Sequence, residues 1–432
     1  MAEQEPWDDT LVYDWNAAGG DLARPLTHRV MVLDETLRDG LQSPSIIDPP
    51  LKAKRELLRR MDAIGVDVAD LGLPGAGARV ARHVAELCAT IRDEGLSVRA
   101  ACAGRTLASD IEPIIQISRE TGVIVEILTF LGASPIRAYA EGWTLTQMRK
   151  LAADAVRMGT DAGLPVAFVT EDTLRAHPDV LSELYRAALG EGATRIIICD
   201  TVGHATPDGV RANVTWHKEL LDKLGRSDVG LDYHGHDDRW LGTINTLTAA
   251  RAGCDRLHAT ALGIGERVGN TGLDVLLVNM NLLGWRDTDL PALPAYCEQA
   301  SIATGRPIPA NYPAIGRDAF RTTSGIHAAA ILKARRRHGE WLADRIYSGV
   351  PANLLGRHQE IDVGYMSGAS NVQAWLEEHG QEARDEVVAA IVRAAKRSHR
   401  TFRDEEVTAL VAAALEELAA TAAGSGDAPA EP

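Results

Sequence analysis

The pattern that most constrains the fold of this chain is a series of eight short apolar runs between residues 29 and 262, separated by longer stretches with helical periodicity. Such alternation is typical of repeated β-α units with a parallel sheet. The runs are Arg29–Asp34, Asp67–Leu71, Ser97–Cys102, Val123–Phe130, Pro165–Thr170, Arg195–Asp200, Val229–His236 and Arg256–Ala261. Eight units predict an α/β fold of the (β/α)8 TIM-barrel type. An open doubly wound sheet is the alternative, but it would not require the polar clusters that follow nearly every run.

The barrel pattern ends after Asn270, and two proline-rich segments, 290–294 and 307–309, predict the start of a linker. Helical periodicity returns beyond them, at 325–338, 372–378, 381–398 and 404–422. We therefore predict an N-terminal arm at 1–28, a catalytic barrel at 29–288, a linker and mainly helical C-terminal domain at 289–422, and a disordered tail at 423–432.

The composition excludes several classes of function. A formal net charge of -15 argues against a general nucleic-acid binder. The five cysteines are widely spaced and contain no C-x-x-C pair, which indicates reduced thiols. The acidic amino terminus lacks the apolar core of a signal peptide, and no apolar run approaches the roughly 18 residues of a membrane span. We expect a cytoplasmic protein that binds neither nucleic acid nor membranes.

The segment Val32–Gln42, with the sequence VLDETLRDGLQ, ends an apolar run with adjacent charges. The carboxyl ends of strands are where parallel α/β folds bind ligands. Asp39 is therefore a candidate ligand for a hard metal, and Arg38 a candidate clamp for a carboxylate or a developing oxyanion. A salt bridge between these two side chains within the loop is the structural alternative.

The segment DYHGHDD places His234 and His236 two residues apart at the end of the seventh run. Residues with this spacing on a strand face the same side, so both imidazoles are expected to share one space. Two histidines with one aspartate predict an open, catalytic divalent-metal site, for which magnesium, manganese, zinc and cobalt all qualify. Asn270, in a glycine-rich turn after the eighth run, is a further candidate oxygen ligand.

Polar side chains also follow the remaining runs, where each one is either a satisfied loop residue or part of the same site. Their convergence on one rim is harder to explain by packing alone, because a barrel requires only turn residues there. These residues are Arg105, Thr129, Ser134, Glu171, Asp172, Asp200 and Thr201.

Several of these segments occur together in a known family. The ordered segments are DETLRDGLQ, EDTLR, DTVG, HGHDD, GIGERVGN and FRTTSGIH, the last at Phe320–His327. This set resembles the homocitrate synthase and α-isopropylmalate synthase family, the DRE-TIM metallolyases, over about residues 29–370. The resemblance implies a TIM barrel, a divalent metal, and Claisen-type condensation of acetyl-CoA with a 2-oxo acid followed by thioester hydrolysis.

The resemblance also implies roles for individual residues. Asp39, His234 and His236 match the metal ligands, and Asn270 matches a residue at or beside the metal. Arg38 matches the arginine that polarises the 2-oxo group. The remaining matches are Thr201 to the hydroxyl that binds the acceptor carboxylate, Glu171 and His327 to the base machinery, and Tyr347 to a tyrosine that the partner subunit supplies. A homodimer with exchanged C-terminal domains is therefore expected.

Homocitrate, isopropylmalate, citramalate and phosphonomethylmalate all remain possible products, because the chain departs from the family pattern around the expected substrate end. The departures are Glu35, Leu41, Asp70, Asp237, Arg239 and Trp240. Two other functions are alternatives to the synthase. One is carbon-carbon cleavage of the kind catalysed by hydroxymethylglutaryl-CoA lyase, which shares the RDGLQ segment, and the other is a binding module on a catalytically decayed barrel.

Overall fold

The computed structural model of the protein describes residues 11–424 and contains a closed barrel of eight parallel strands in chain order. The strands are β1 (Met31–Asp34), β2 (Val68–Asp70), β3 (Arg99–Arg105), β4 (Val125–Gly132), β5 (Val166–Glu171), β6 (Arg195–Asp200), β7 (Gly230–Gly235) and β8 (Arg256–Ala259). Strand β1 pairs with β8 and closes the barrel. Each predicted apolar run overlaps one strand, so the TIM barrel is confirmed and the open sheet is wrong.

The helices between the strands pack one apolar face on the barrel. The helix Leu51–Ala63, for example, buries Leu57, Leu58 and Met61, which have helical spacing. The helices of this part are Trp15–Gly19, Leu51–Ala63, Ala78–Glu94, Ala108–Thr121, Pro135–Glu141, Leu145–Asp161, Pro178–Gly190, Pro207–Lys223, Gly242–Ala252, Leu273–Leu282 and Leu293–Thr304.

The chain divides into two compact units between Ile308 and Pro309. The sequence placed this boundary earlier, between 288 and 289, because prolines near residue 290 suggested a linker. Instead, one of these prolines lies in the first turn of the helix Leu293–Thr304, a position in which proline is well tolerated. Its residues Tyr296 and Cys297 are fully buried, so this segment belongs to the core of the first unit.

The second unit is mainly helical. Its helices are Gly325–Ala343, Ala369–Glu378, Asp385–Lys396 and Asp404–Gly424, and two short parallel strands, β9 (Arg321–Thr322) and β10 (Glu360–Ile361), pair beside them. A buried cluster that includes Val372, Trp375 and Ile391 forms its core.

Parts of the predicted arm and tail, residues 1–10 and 425–432, lie outside the described residues. The rest of the arm includes the helix Trp15–Gly19, on which Trp15 is exposed. Within residues 11–424, no helix combines the length and the apolar character that crossing a membrane requires.

Alternation along β1 sends successive side chains to opposite sides of the barrel wall. Leu33 belongs to the apolar cluster inside the barrel, whereas Asp34 points outward and accepts a hydrogen bond from the hydroxyl of Tyr296. Asp34 also accepts from the backbone N–H of Thr36, at 2.7 Å. These contacts fix the end of β1 immediately before the polar loop.

We predict that Asp34 makes stability depend on pH. Burial raises the pKa of Asp34 to about 6, although its hydrogen bonds to Thr36 and Tyr296 oppose this shift. Because the folded pKa exceeds the unfolded one, the contribution to stability is present below about pH 4 and is lost as the pH rises through about 6. Asp34→Asn should therefore gain about 2 to 3 kcal/mol of unfolding free energy relative to the wild type between pH 4 and pH 7. Urea unfolding across this range measures the difference, and a constant difference would contradict the prediction.

Candidate active site

A pocket of about 270 Å³ lies at the carboxyl ends of the strands. Residues of β7, β8 and the loop after β1 contribute its polar side, and residues of β3 to β6 contribute its apolar side. Of the predicted site residues, Arg38, Asp39, Glu171, Thr201, His234 and His236 all line it. The structure brings these six residues together in one pocket, and their roles stay predictions.

Asp39, His234 and His236 form a compact and buried group of possible metal donors. The two Nε2 atoms lie 3.1 Å apart, and the Asp39 Oδ2 lies 3.6 Å from His234 Nε2 and 3.4 Å from His236 Nε2. Donors that bind one ion at about 2.1 Å must lie roughly 3 to 3.5 Å from each other, because that is the geometry of a shared coordination shell. The three separations, 3.1 to 3.6 Å, are close enough to this range for the side chains to share one divalent cation.

The hydrogen bonds of the two imidazoles indicate the protonation of the group. His234 Nδ1 lies 2.6 Å from Glu35 Oε2, and His236 Nδ1 lies 3.2 Å from the carbonyl oxygen of Gly269. Both partners accept, so each Nδ1 carries a proton, and the Nε2 of a neutral ring with this tautomer presents its lone pair to the other imidazole and to Asp39. Burial and the neighbouring His234 lower the pKa of His236, which favours its neutral form. Such an arrangement of lone pairs is stable when a cation lies between them.

Asn270 completes the group. Its side-chain amide lies 2.6 Å from Asp39 Oδ2, and its Oδ1 is buried with no hydrogen-bond partner among the described residues. Glycines hold it close: a Cβ at Gly265 would lie 1.8 Å from Asn270 Oδ1, and a Cβ at Gly269 would lie 1.9 Å from the carbonyl oxygen of Gly263. The glycine-rich turn is therefore required to position Asn270, and the donor set fits a divalent metal.

Arg38 lies beside this group and is held by carboxylates. Its Nε donates to Asp70 at 2.9 Å and its Nη2 donates to Glu35 at 2.7 Å, while Nη1 lies 3.7 Å from Asp39. The predicted salt bridge between Arg38 and Asp39 is thus a long contact within a larger network. Burial alone would lower the pKa of Arg38, but Glu35, Asp39 and Asp70 raise it. A guanidinium carries five N–H groups, so donors remain beyond those that Glu35 and Asp70 occupy.

His258, which the sequence did not single out, connects the site to the charged interior of the barrel. Its Nδ1 lies 2.9 Å from Glu35 Oε1 and its Nε2 lies 3.1 Å from Asp232 Oδ2. Asp232 also accepts from Arg195 and Arg256. The sequence did contain a signal for His258. It lies two positions after Arg256 on β8, and residues with this spacing on a strand face the same side.

Glu171 and Thr201 line the pocket at the ends of β5 and β6. Burial raises the pKa of Glu171, and the guanidinium of Arg137, 3.5 Å away, partly opposes this shift. The Thr201 hydroxyl accepts from the backbone N–H of Asp172 at 2.8 Å. Arg267 also lines the pocket and donates to the Thr201 carbonyl at 2.6 Å.

Three residues predicted to bind substrate do not line the pocket. Arg105 is the last residue of β3 and turns to Asp110, with Nε and Oδ2 2.7 Å apart. Thr129 is fully buried on β4 between two pocket-lining neighbours, so alternation directs it to the helix layer. Ser134 caps the helix Pro135–Glu141 by accepting from the backbone N–H of Arg137 at 3.4 Å. The structure therefore does not bring these three residues to the pocket that the other predicted residues share.

The departures near His236 also have structural explanations. Asp237 accepts from the backbone N–H of Gly242 at 2.8 Å, at the start of a helix. Arg239 donates to the carbonyl of His204 at 2.9 Å, and Trp240 is 87% exposed. None of Asp237, Arg239 and Trp240 lines the pocket, whereas Glu35 does. Among the departures, Glu35 and its neighbour Asp70 are the ones that contact Arg38.

His327 and Tyr347 belong to the second unit. Their rings are stacked, with centroids 4.0 Å apart and an angle of 29° between the planes. Tyr347 is about half exposed. Their catalytic roles and the homodimer with exchanged C-terminal domains stay predictions.

Comparison with known proteins gives one family and consistent relatives. The family model described as HMGL-like matches residues 29–296. Homocitrate synthase AksA of Methanopyrus kandleri is 30% identical over 86% of this chain and 88% of its own length. The 2-isopropylmalate synthase of Pyrococcus abyssi is 30% identical over 87% of this chain and 74% of its own. The crystal structure of hydroxymethylglutaryl-CoA lyase from Pseudomonas aeruginosa, 20% identical, covers 64% of this chain and 93% of its own with a TM-score of 0.54, which supports the barrel fold.

We predict that His236→Ala will weaken the binding of Mn²⁺ and Zn²⁺ by about a hundredfold or more, because it removes one of three clustered donors. Isothermal titration of the metal-depleted protein measures the affinity. His358→Ala is the matched control, since the His358 side chain is 61% exposed and lies in the second unit. Equal affinities for the two variants would show that the cluster is not the metal site.

We predict that Gly265→Ala will displace Asn270 and lower the affinity for Mn²⁺ by about tenfold or more, because the new methyl group would overlap Oδ1. The control is Gly190→Ala, where a Cβ would meet nothing within 4 Å. Thermal unfolding should show both variants folded. An unchanged Mn²⁺ affinity in Gly265→Ala would mean that Asn270 is not needed to hold the ion.

Proposed function

Because the chain belongs to the HMGL-like family, whose model matches residues 29–296, we propose that it is a metal-dependent synthase that condenses acetyl-CoA with a 2-oxo acid. The family confirms the resemblance that the sequence motifs carry. The relatives at 30% identity are named homocitrate and 2-isopropylmalate synthases, which favours condensation over cleavage. The likeness to lyase structures is weaker in identity and supports the fold alone.

The observation that carries the proposal is the buried cluster of Asp39, His234 and His236 beside the guanidinium of Arg38. These three side chains would hold the divalent cation, with Asn270 next to them. When bound, the cation supplies Lewis-acid polarisation of the acceptor carbonyl. Intact donors and an intact Arg38 speak against a decayed barrel that only binds a partner.

Arg38 orients the acceptor. Glu35 and Asp70 fix two of its nitrogens, so its remaining N–H donors have a defined direction and need little reorganisation during reaction. The guanidinium would donate to the carbonyl oxygen of the acceptor and stabilise the negative charge that develops there. Thr201 is proposed to bind the acceptor carboxylate.

A base must remove a proton from the methyl group of acetyl-CoA. Glu171 is proposed for this machinery, because burial raises its pKa and so makes it a stronger base than an exposed glutamate. His327 is proposed to act with it on the grounds of the family resemblance, and Tyr347 stacks on that histidine.

The proposed reaction balances. The methyl carbon loses its proton to the base, attacks the carbonyl carbon of the 2-oxo acid and forms the new carbon-carbon bond. The former carbonyl oxygen takes a proton and becomes a hydroxyl. Water then attacks the thioester carbon, which releases CoA as the thiol and leaves a second carboxylate. The product is a 2-hydroxy-2-(carboxymethyl) acid.

The first test is release of free CoA from acetyl-CoA with a panel of 2-oxo acids, with and without a chelator and added Mn²⁺. We expect release that requires both a 2-oxo acid and the metal. Absence of release with every acceptor, together with metal-dependent cleavage of hydroxymethylglutaryl-CoA, would replace the synthase with the lyase. Failure of both reactions in the metal-loaded protein would favour a binding module.

We also predict that Arg38→Lys will lower kcat for CoA release by about a hundredfold or more, because lysine cannot reproduce the planar donor set that Glu35 and Asp70 orient. Arg105→Lys is the matched control, since Arg105 pairs with Asp110 and does not line the pocket. Similar losses in the two variants would argue that Arg38 acts through folding rather than on the reacting carbonyl.

A further inference from the structure

The pocket at the barrel mouth has two chemically different halves. Adjacent strands β7, β8 and β1, with the loops after β1 and β8, supply its imidazoles and most of its charges. Strands β3 to β6, which pair consecutively on the other side, supply an apolar wall. The apolar wall consists of Ala103, Leu128, Phe130, Val169 and Ile197.

Packing within the chain leaves part of the apolar wall exposed to the pocket. Ala103, Leu128 and Ile197 are buried, but Phe130 and Val169 are only half-buried although they lie inside the barrel. Partly exposed apolar side chains that face a pocket gain free energy when an apolar group covers them. The wall thus favours contact with hydrocarbon.

No guanidinium or ammonium group is left for a second anion among the described residues that line this pocket. The lining cations of fixed charge are Arg38 and Arg267. Glu35 and Asp70 each accept a hydrogen bond from Arg38, and its remaining donors are the ones proposed for the acceptor carbonyl. Arg267 donates to both carboxylate oxygens of Asp238, at 2.9 and 2.7 Å.

The charges that line the pocket also disfavour a second anionic group. Four carboxylates line the pocket against these two guanidinium groups, and they are Glu35, Asp39, Glu171 and Glu266. A divalent cation at the donor cluster brings this lining close to neutrality. One carboxylate of an acceptor is then tolerated at Thr201, but a second anionic group against the apolar wall would lose its hydration without gaining a partner.

From these observations we infer that the acceptor is a 2-oxo acid with one carboxylate and an uncharged aliphatic side chain, which lies on the apolar wall. This inference rests on the proposed function and narrows it. The products are then of the isopropylmalate or citramalate type. Acceptors with a second carboxylate or a phosphonate, which lead to homocitrate or phosphonomethylmalate, are disfavoured.

Two measurements on the Mn²⁺-loaded full chain test the inference. The first is kcat/KM for CoA release with 2-oxoisovalerate and pyruvate against 2-oxoglutarate and phosphonopyruvate. The second is the affinity for the same four acids by isothermal titration, without acetyl-CoA. We expect the better aliphatic acid to exceed both dianionic acids by about a hundredfold in each measurement, because burying an unpaired charge costs more than burying a methylene group.

The two measurements separate the possible failures. Release that is as fast or faster with 2-oxoglutarate or phosphonopyruvate would overturn the inference and leave the synthase intact. No release with any acid would overturn the synthase, and the titration alone would then decide whether the pocket selects aliphatic monoanions. Equal or tighter binding of the dianionic acids would overturn the inference in that case as well.

A pair of variants at the wall tests its position. Phe130→Lys adds a cation at the centre of the apolar half, and Phe130→Met adds a flexible apolar chain of similar length. The lysine variant should shift the ratio of affinities toward 2-oxoglutarate by about tenfold or more relative to the methionine variant. Thermal unfolding identifies a misfolded variant, in which case the acceptor panel on the wild type remains decisive. Equal ratios in two folded variants would overturn contact between the acceptor side chain and the wall.

Discussion

The candidate site depends on the register of β7, which directs Asp232, His234 and His236 into the barrel. Each of these side chains has a different partner: Asp232 pairs with Arg256, His234 with Glu35, and His236 with the Gly269 carbonyl. Burial alone would raise the pKa of Asp232, but Arg256 and Arg195 hold it well below its usual range. Since breaking a buried ion pair costs about 3 to 5 kcal/mol, a slip of this strand by one residue would be strongly opposed.

The ionic network that includes Asp232 also extends to the side chains of the candidate site. Glu35 lies where Arg38, His234 and His258 converge, and it contacts all three. A carboxylate in that position orients an imidazole and a guanidinium at the same time, so the proposed donors for the metal and for the acceptor keep a fixed relation. The turn around Gly265 adds a steric constraint on Asn270, because its backbone lies close against the Asn270 side chain.

The sequence predicted the barrel and much of the site, because runs and spacing are local properties. His234 and His236 share a face whatever the tertiary packing, and the apolar run before Arg38 determines where its loop begins. Arg105 and Thr129 were expected to bind substrate but do not line the pocket, because Arg105 pairs with Asp110 and Thr129 alternates with the pocket-lining Leu128 and Phe130. The role of Glu35 could not be predicted from the sequence either, because its partners on β7 and β8 are distant in the chain.

The separation of the pocket into a charged half and an apolar half allows chemistry and selectivity to change independently. The apolar side chains occur in one stretch of the chain, from Ala103 to Ile197, whereas the donor cluster is built from the segments around Asp39, His234 and Asn270. Substitutions at these apolar positions can resize the proposed acceptor site while the donor cluster stays as it is. A lineage can in this way acquire new acceptors through changes at a few apolar positions, and a laboratory library confined to those positions, without Glu171 on β5, would sample specificity at little risk to the donor cluster.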